Sequence, residues 1–370
     1  MPHLNDWQEI RLSSPADEDA DLSAVTLGEA GSRLIPLGSA PVSSPQDQAF
    51  LAERAPLFCA ENLISNSAQF SLLEQGRIVM HPACMGAAVT ANANLLQATF
   101  STQLLYLDNA PIRVSENRHF LDPGLSTILH KDPAISPLCN LYFAYFHWIV
   151  EVLPALFSSC EMLPEDFRII CPRPVPGSYR FGTSLIEDSV RLCGIDPARL
   201  LYLDSGLHEF PRLVVPKVRQ YWNYRWADTI VANAAKGARP DFPKRIYISR
   251  RDTTQRHVTN ESELASVLAE HGVEPVVLSD YSFQEQVQIF SQVELVVAPH
   301  GGGLTNLVFA PSTTVVIEAI PRSDPRPWFW HVAGTRKQQY IALLCESGND
   351  AATDMKLDCS TLARLLAEMQ

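Results

Sequence analysis

Between residues 245 and 320 the chain repeats one pattern, a short apolar run followed by an amphipathic stretch, and this repetition restricts the fold most. The runs at 245–249, 274–278, 293–298 and 314–320 read as strands, bounded by turn residues. Residues 260–270 read as a helix, with Asn260 as N-cap, Glu263 as its capping-box partner and Gly272 just beyond the end. Ser282 and Glu285 form a second capping box that opens a short helix through Phe290. A turn at 299–303 then enters another short helix through Phe309. Strands joined by such brief helical connections run parallel, so this region predicts an α/β fold with a doubly wound sheet.

The whole chain of 370 residues is long enough for two domains at roughly 100–200 residues each. Residues 1–50 mix Ser, Pro, Asp and Gly with weak periodicity and predict a loosely ordered lead-in. Residues 51–240, with strand-like runs at 76–80, 167–171 and 210–218, predict a first α/β domain. The polar stretch 236–244 is the expected linker, and 241–345 the second domain. Residues 346–370 predict a C-terminal helix packing back on the first domain.

Lys and Arg number 29 against 41 Asp and Glu, a net charge of −12, which disfavours a general nucleic-acid binder. Eight cysteines without a C-x-x-C pair predict reduced thiols in a cytoplasmic protein. No secretory signal is expected at the polar start. The most apolar stretch, 141–157, is interrupted by His147, Glu151 and Pro154 and is too short to span a bilayer.

In an open parallel sheet, ligands lie beyond the carboxyl ends of the strands. Arg250, Arg251 and Arg256 follow the first strand, a local basic cluster suited to phosphate, with Arg250 and Arg256 the stronger candidates. His300, Gly301, Gly302, Gly303, Thr305 and Asn306 follow the third, a glycine turn whose N–H groups and helix end suit a diphosphate. The turn matches neither dinucleotide nor P-loop fingerprints. Glu318, in the fourth strand, needs a partner; a ribose diol and an internal Arg or helix end are even alternatives. His147 and Glu151 share a helix face at i,i+4, fitting either a general base with its orienting partner or an internal hydrogen bond. No third ligand accompanies them, so no metal site is expected. Tyr221, Trp222, Tyr224 and Trp226 suit either sugar stacking or packing at a domain boundary.

Several of these motifs together resemble glycosyltransferase family 61. The resemblance is carried by I-S-R-R-D-T-T-Q-R-H-V-T-N-E ending at Glu261, by Phe283 to Gln286, by Ala298 to Phe309, and by the strand containing Glu318. His147-Trp148 with Glu151, Leu153 and Pro154 is similar to bacterial members labelled capsular polysaccharide biosynthesis proteins. It covers roughly residues 140–345, and Gly302 stands where the family commonly has Ala.

The resemblance implies a GT-B architecture, two Rossmann-like domains facing across a cleft, with inversion at the anomeric carbon and no obligatory metal or cofactor. A nucleotide-sugar, expected to be a UDP-sugar, would be held by Arg250, Arg256, His300 and the glycine turn, with Glu318 on the ribose. Asn260, Glu261 and Glu285 would support that pocket. Glu151, assisted by His147, would deprotonate a hydroxyl of a glycan or lipid-linked glycan, with peripheral membrane contact where the acceptor is a lipid. A sugar-nucleotide epimerase or a non-catalytic nucleotide-binding scaffold would share the second domain.

Overall fold

The predicted alternation from residue 245 onward is realised in the computed structural model, which describes residues 8–13, 22–37, 42, 44–59, 62–81, 86–91, 94–96, 111–115, 118–137, 144–173, 183–217, 224–237, 242–253, 255–348 and 353–369. The chain divides into two units, residues 1–32 with 66–220 and residues 33–65 with 221–370.

The second unit holds the sheet that the sequence announces. Its strands are β1 (Arg245–Ile248), β2 (Glu274–Val276), β3 (Leu295–Pro299), β4 (Val315–Pro321), β5 (Gln339–Ser347) and β6 (Met355–Lys356), in spatial order β2-β1-β3-β4-β5-β6. All neighbours pair in parallel except β6, which runs antiparallel to β5. Every residue of β3 and nearly every residue of β4 is buried, which is why both read as continuous apolar runs. The order 2-1-3-4-5 places the topological switch point between β1 and β3, where a ligand crevice is expected.

The helices of this unit are α1 (Pro45–Arg54), α2 (Arg225–Ala234), α3 (Glu261–Glu270), α4 (Phe283–Phe290), α5 (Trp328–Thr335) and α6 (Cys359–Ala367). Helix α3 ends in a Schellman arrangement: Gly272 adopts φ +64°, its N–H reaches the Ala269 carbonyl, and the Val273 N–H reaches that of Leu268. The capping box expected at Ser282 and Glu285 is present in α4. The one expected at Asn260 is not: the Asn260 side chain makes no cap bond and instead pairs with Leu357, Nδ2 donating to its carbonyl at 2.8 Å and Oδ1 accepting from its N–H at 3.1 Å.

That pairing changes the expected place of the C-terminal helix. Leu362, Leu365 and Leu366 of α6 join Leu264 and Leu268 of α3 in one core over Tyr247, Leu295, Val297 and Ile317, so α6 completes the second unit rather than packing on the first.

The domain boundary also moves. Trp226 of α2 packs edge-on against Phe309, and Gln288 of α4 donates to the Ala234 carbonyl at 2.8 Å. These contacts draw α2 into the second unit, so the division falls after Gln220 and not at the polar stretch 236–244, of which 238–241 lie outside the described residues. The expected lead-in contains strands Gln8–Ser13 and Leu22–Pro36 and helix α1. Arg322 holds that helix by an ion pair with Asp47 and by stacking over Phe50.

The first unit departs from the doubly wound expectation. Its backbone is a mixed sheet organised on the antiparallel pair of Asn62–Met80 with Gly206–Lys217. Only the strands Ala134–Ile135, Arg168–Pro172 and Leu200–Leu203 form a run of parallel neighbours joined by helices, among the described residues. The helical crossover from the first to the second of these carries His147 and Glu151.

Asn260→Ala would leave a buried N–H and a buried carbonyl of Leu357 unpaired. It should cost about 2 kcal/mol of stability, read as a lower urea midpoint with faster amide exchange in α6. Unchanged exchange there would contradict the tether.

Candidate functional site

The second unit brings its basic residues to the switch point. Beyond β1, Arg250 turns its Nε and Nη2 to the carbonyl of Gln255, at 3.2 and 3.0 Å, so the loop closes around its own guanidinium. Nη1 lies against Gly301: a Cβ there would sit 2.0 Å from it. Gly301 itself is extended, with φ 169°, so this close approach and not a left-handed backbone demands glycine.

The three glycines of the turn have three different explanations. Gly303 packs on the core, where a Cβ would meet Leu278 at 2.9 Å and Ile248 at 3.1 Å. Gly302 faces open space, so a Cβ there would meet nothing.

Arg256 adopts φ +58°, a left-handed conformation that is uncommon away from glycine and gathers at ligand sites. Its Nη2 lies 3.8 Å from Asp324, which also accepts from Arg326 Nε at 2.9 Å. Burial, and then the neighbouring Arg256, pulls Arg250 below the usual arginine range. Burial, and then Arg326, does the same to Arg256, while Asp324 and Glu318 oppose it. Arg250 and Arg326 both lie close enough to act on Arg256, and Asp324 pairs with Arg256 and Arg326, so positive charge is concentrated locally in a way that suits a diphosphate. Arg326 escaped the sequence reading, although it follows the end of β4 by five positions and the strand-end rule points to it. Arg251 is exposed and turns elsewhere.

Glu318 does not offer itself to a ribose. Its carboxylate is fully buried, accepts from the Tyr340 hydroxyl at 2.5 Å and is bonded to Nδ1 of His300. Burial and the Glu318 charge push the Tyr340 phenol far up, so it stays protonated as a donor. Glu318 therefore fixes the His300 ring, whose backbone N–H reaches the Ala319 carbonyl at 2.8 Å, and leaves Nε2 as the ring nitrogen not engaged by the carboxylate. The partners are a His and a Tyr, neither of the alternatives raised from sequence. Tyr340 lies on β5, a strand beyond the recognised repeat.

Other expected contacts turn out to hold the scaffold. Asn306 donates to Gln286 Oε1 at 3.1 Å, and Gln286 in turn donates to the carbonyls of Leu278 and Tyr281, so Asn306 clamps the 3₁₀ helix Gly302–Phe309 to α4. Glu285 is consumed by its capping box. Thr305 is fully buried and its hydroxyl has no hydrogen-bond partner among the described residues. Tyr224 bonds to Thr335 and Trp226 is buried, which makes these two aromatic residues packing elements; Tyr221 and Trp222 lie outside the described residues.

The first unit holds the second constellation. His147 Nδ1 lies 2.8 Å from Glu151 Oε2, with side chains 27% and 8% exposed respectively. Between them the helix widens into a π turn, Trp148–Val152, closed by the Leu153 N–H on the Trp148 carbonyl. Pro154, which has no N–H, follows at the start of the next helical segment, Leu153–Cys160. Such turns recur at functional sites. Trp148 anchors the turn, its indole N–H donating to Ser189 at 2.9 Å. Among the described residues no group of three metal-binding side chains occurs, and no helix is long and apolar enough to cross a membrane.

Known proteins share parts of this chain. The EGF domain-specific O-linked N-acetylglucosamine transferase of Gallus gallus is 33% identical over 87 residues, 22% of this chain and 16% of that protein. Its counterpart in Bos taurus is 31% identical over 102 residues, 26% of this chain and 19% of that protein. The Drosophila melanogaster protein is 34% identical over 82 residues, 21% and 16% respectively. The chain therefore spans less than a fifth of the length of these relatives. A solved structure, E. coli heptosyltransferase WaaC with ADP, covers 66% of this chain and all of its own, at 10% identity and a TM-score of 0.31. Residues 145–317, which hold His147, Glu151, both loop arginines and the glycine turn, match the family model described as Glycosyltransferase 61.

Proposed function

We propose that this chain is a glycosyltransferase that moves a sugar from a nucleoside diphosphate sugar, a UDP-sugar, to a hydroxyl of a glycan or glycolipid acceptor. The observation that carries the reading is the Arg250 guanidinium seated on Gly301 at the switch point, with Arg256 and Arg326 beside it, inside a stretch that matches a glycosyltransferase family. The relatives are named for N-acetylglucosamine transfer, which makes the UDP derivative of that sugar the first donor to test.

In this reaction the acceptor oxygen bonds to the anomeric carbon as the bond from that carbon to the diphosphate oxygen breaks. The electron pair leaves with the nucleoside diphosphate, and a single displacement inverts the anomeric centre. Negative charge grows on the leaving oxygen, where Arg250, Arg256 and the N–H groups after His300 stabilise it without a metal ion. Glu318 and Tyr340 act one step back, by holding His300.

The acceptor proton needs a base, and the His147–Glu151 pair supplies one. The sequence alone favoured Glu151 with His147 assisting. The exposures favour the reverse: the buried carboxylate orients the ring, and the more exposed imidazole meets the acceptor hydroxyl. A surface polysaccharide is the acceptor class the bacterial resemblance points to.

Arg256→Ala should weaken UDP binding about 10- to 100-fold, the worth of a charged hydrogen bond; an unchanged dissociation constant in calorimetry would reject its phosphate role. His147→Ala should lower kcat roughly 10²- to 10⁴-fold with UDP affinity unchanged, and added imidazole should restore part of it. Glu151→Gln keeps an acceptor for the ring and should lose less than His147→Ala; a larger loss returns the base to Glu151.

A further inference from the structure

The loop that follows β4 sets a carboxylate among the arginines, where a site for an anion would be expected to avoid one. Asp324 accepts from Arg326 Nε at 2.9 Å, and its Oδ2 stands 3.8 Å from Arg256 Nη2. The second distance is that of an ion pair and exceeds hydrogen-bond length, so Arg256 feels the charge while this contact consumes none of its donors. Glu318, the other carboxylate acting on Arg256, is already bonded to His300 and Tyr340. Arg250 has carboxylates of its own in Asp252 and Asp354.

The backbone holds Asp324 in place. Its N–H reaches the Pro321 carbonyl at 3.1 Å, and Pro325 and Pro327 fix φ on either side of Arg326. Two positions earlier, the Arg322 N–H reaches the Cys345 carbonyl at 3.0 Å, and the Arg322 side chain pairs with Asp47 and Glu346. The turn is thereby tied to β5 and to α1, and it keeps one negative charge at a constant place beside Arg256 and Arg326.

We infer that Asp324 is a fixed counter-ion that lets the site tell the nucleotide-sugar donor from the nucleoside diphosphate released by the reaction. Breaking the bond from the anomeric carbon leaves its oxygen on a terminal phosphate. Such a phosphate ionises once more near about pH 6, so at neutral pH the product is the more highly charged ligand. Guanidinium groups alone would grip product harder than donor and slow its release. A carboxylate beside them subtracts from the attraction in proportion to ligand charge, and so subtracts most from the product. The side chains of Arg256 and Asp324 are 24% and 30% exposed, which limits screening of that effect by salt. The inference rests on the nucleoside diphosphate reading of the arginine site, and inorganic pyrophosphate tests that reading separately.

Calorimetry on the full chain at neutral pH would titrate pyrophosphate, UDP and UDP-N-acetylglucosamine into the unaltered protein and into Asp324→Asn, which keeps the side-chain shape and an acceptor for Arg326. Asp324→Asn should bind pyrophosphate and UDP about 10-fold more tightly, with UDP-N-acetylglucosamine gaining less. Its empty form should melt lower, because the guanidinium groups lose their counter-charge, and pyrophosphate should raise its Tm by more than that of the unaltered chain. Asp324→Glu, which keeps the charge, should keep the unaltered preference; loss of the preference there would mean that shape and not charge sets it. If pyrophosphate binds the unaltered chain and Asp324→Asn leaves it unchanged or weakens it, Asp324 merely positions the arginines, and the inference is wrong while the diphosphate site stands. Equal gains for UDP and UDP-N-acetylglucosamine would overturn the discrimination as well. If pyrophosphate and UDP both fail to bind the unaltered chain, the diphosphate reading falls and the inference falls with it.

Discussion

A carboxylate with no access to water sits in the middle of the second unit. Glu318 is accommodated there because the His300 ring nitrogen Nδ1 and the Tyr340 hydroxyl meet its oxygens, and those partners come from different places: His300 just beyond β3, and Tyr340 on β5. The carboxylate on β4 therefore ties three adjacent strands at one level of the sheet. Its register opposite Ala298 and Ala342 leaves room on both sides for larger partners. Fixing His300 fixes where the glycine turn begins, and so where Gly301 lies beneath Arg250. The exposed chemistry of the site rests on this buried triad.

Legibility in the sequence followed burial. β3 and β4 are buried on both faces, so their apolar runs stood out, and the capping box of α4 with Gly272 after α3 marked helix ends by local chemistry alone. The first unit lacks such signals, because a strand as long as Asn62–Met80 pairs antiparallel with a partner far along the chain. Tyr340 was missed for a related reason: it acts through Glu318, a neighbour supplied by the tertiary fold, which no spacing in the chain records.

Polar residues near a ligand site are read as ligands, and this site separates the two roles. Asn260, Asn306 and Glu285 lie within the recognised motifs, yet their side chains bond to Leu357, Gln286 and the Ser282 cap. A glycine turn that must hold a guanidinium within contact distance needs a rigid base, and amide side chains that bond to backbone and to each other provide it. Motif membership is then compatible with a purely supporting role, and the discriminating observation is whether the polar atoms are already satisfied.

The arginine cluster makes a chain of net charge −12 compatible with the anionic donor proposed for it. Arg256 lies close enough to lower Arg250, and Arg326 close enough to lower Arg256, while Asp324 pairs with Arg256 and Arg326. Partial burial keeps water from screening that local field, whereas the surrounding negative charge is spread over a solvated surface and is weakened beyond about 10 Å at moderate salt. A compact dianion reaching the cluster gains the short-range attraction in full. A polyanion must lie along the acidic surface as well, and pays the repulsion over its length. The same charge distribution therefore favours one diphosphate over nucleic acid, a selectivity that follows from placing few arginines deep and many carboxylates outside.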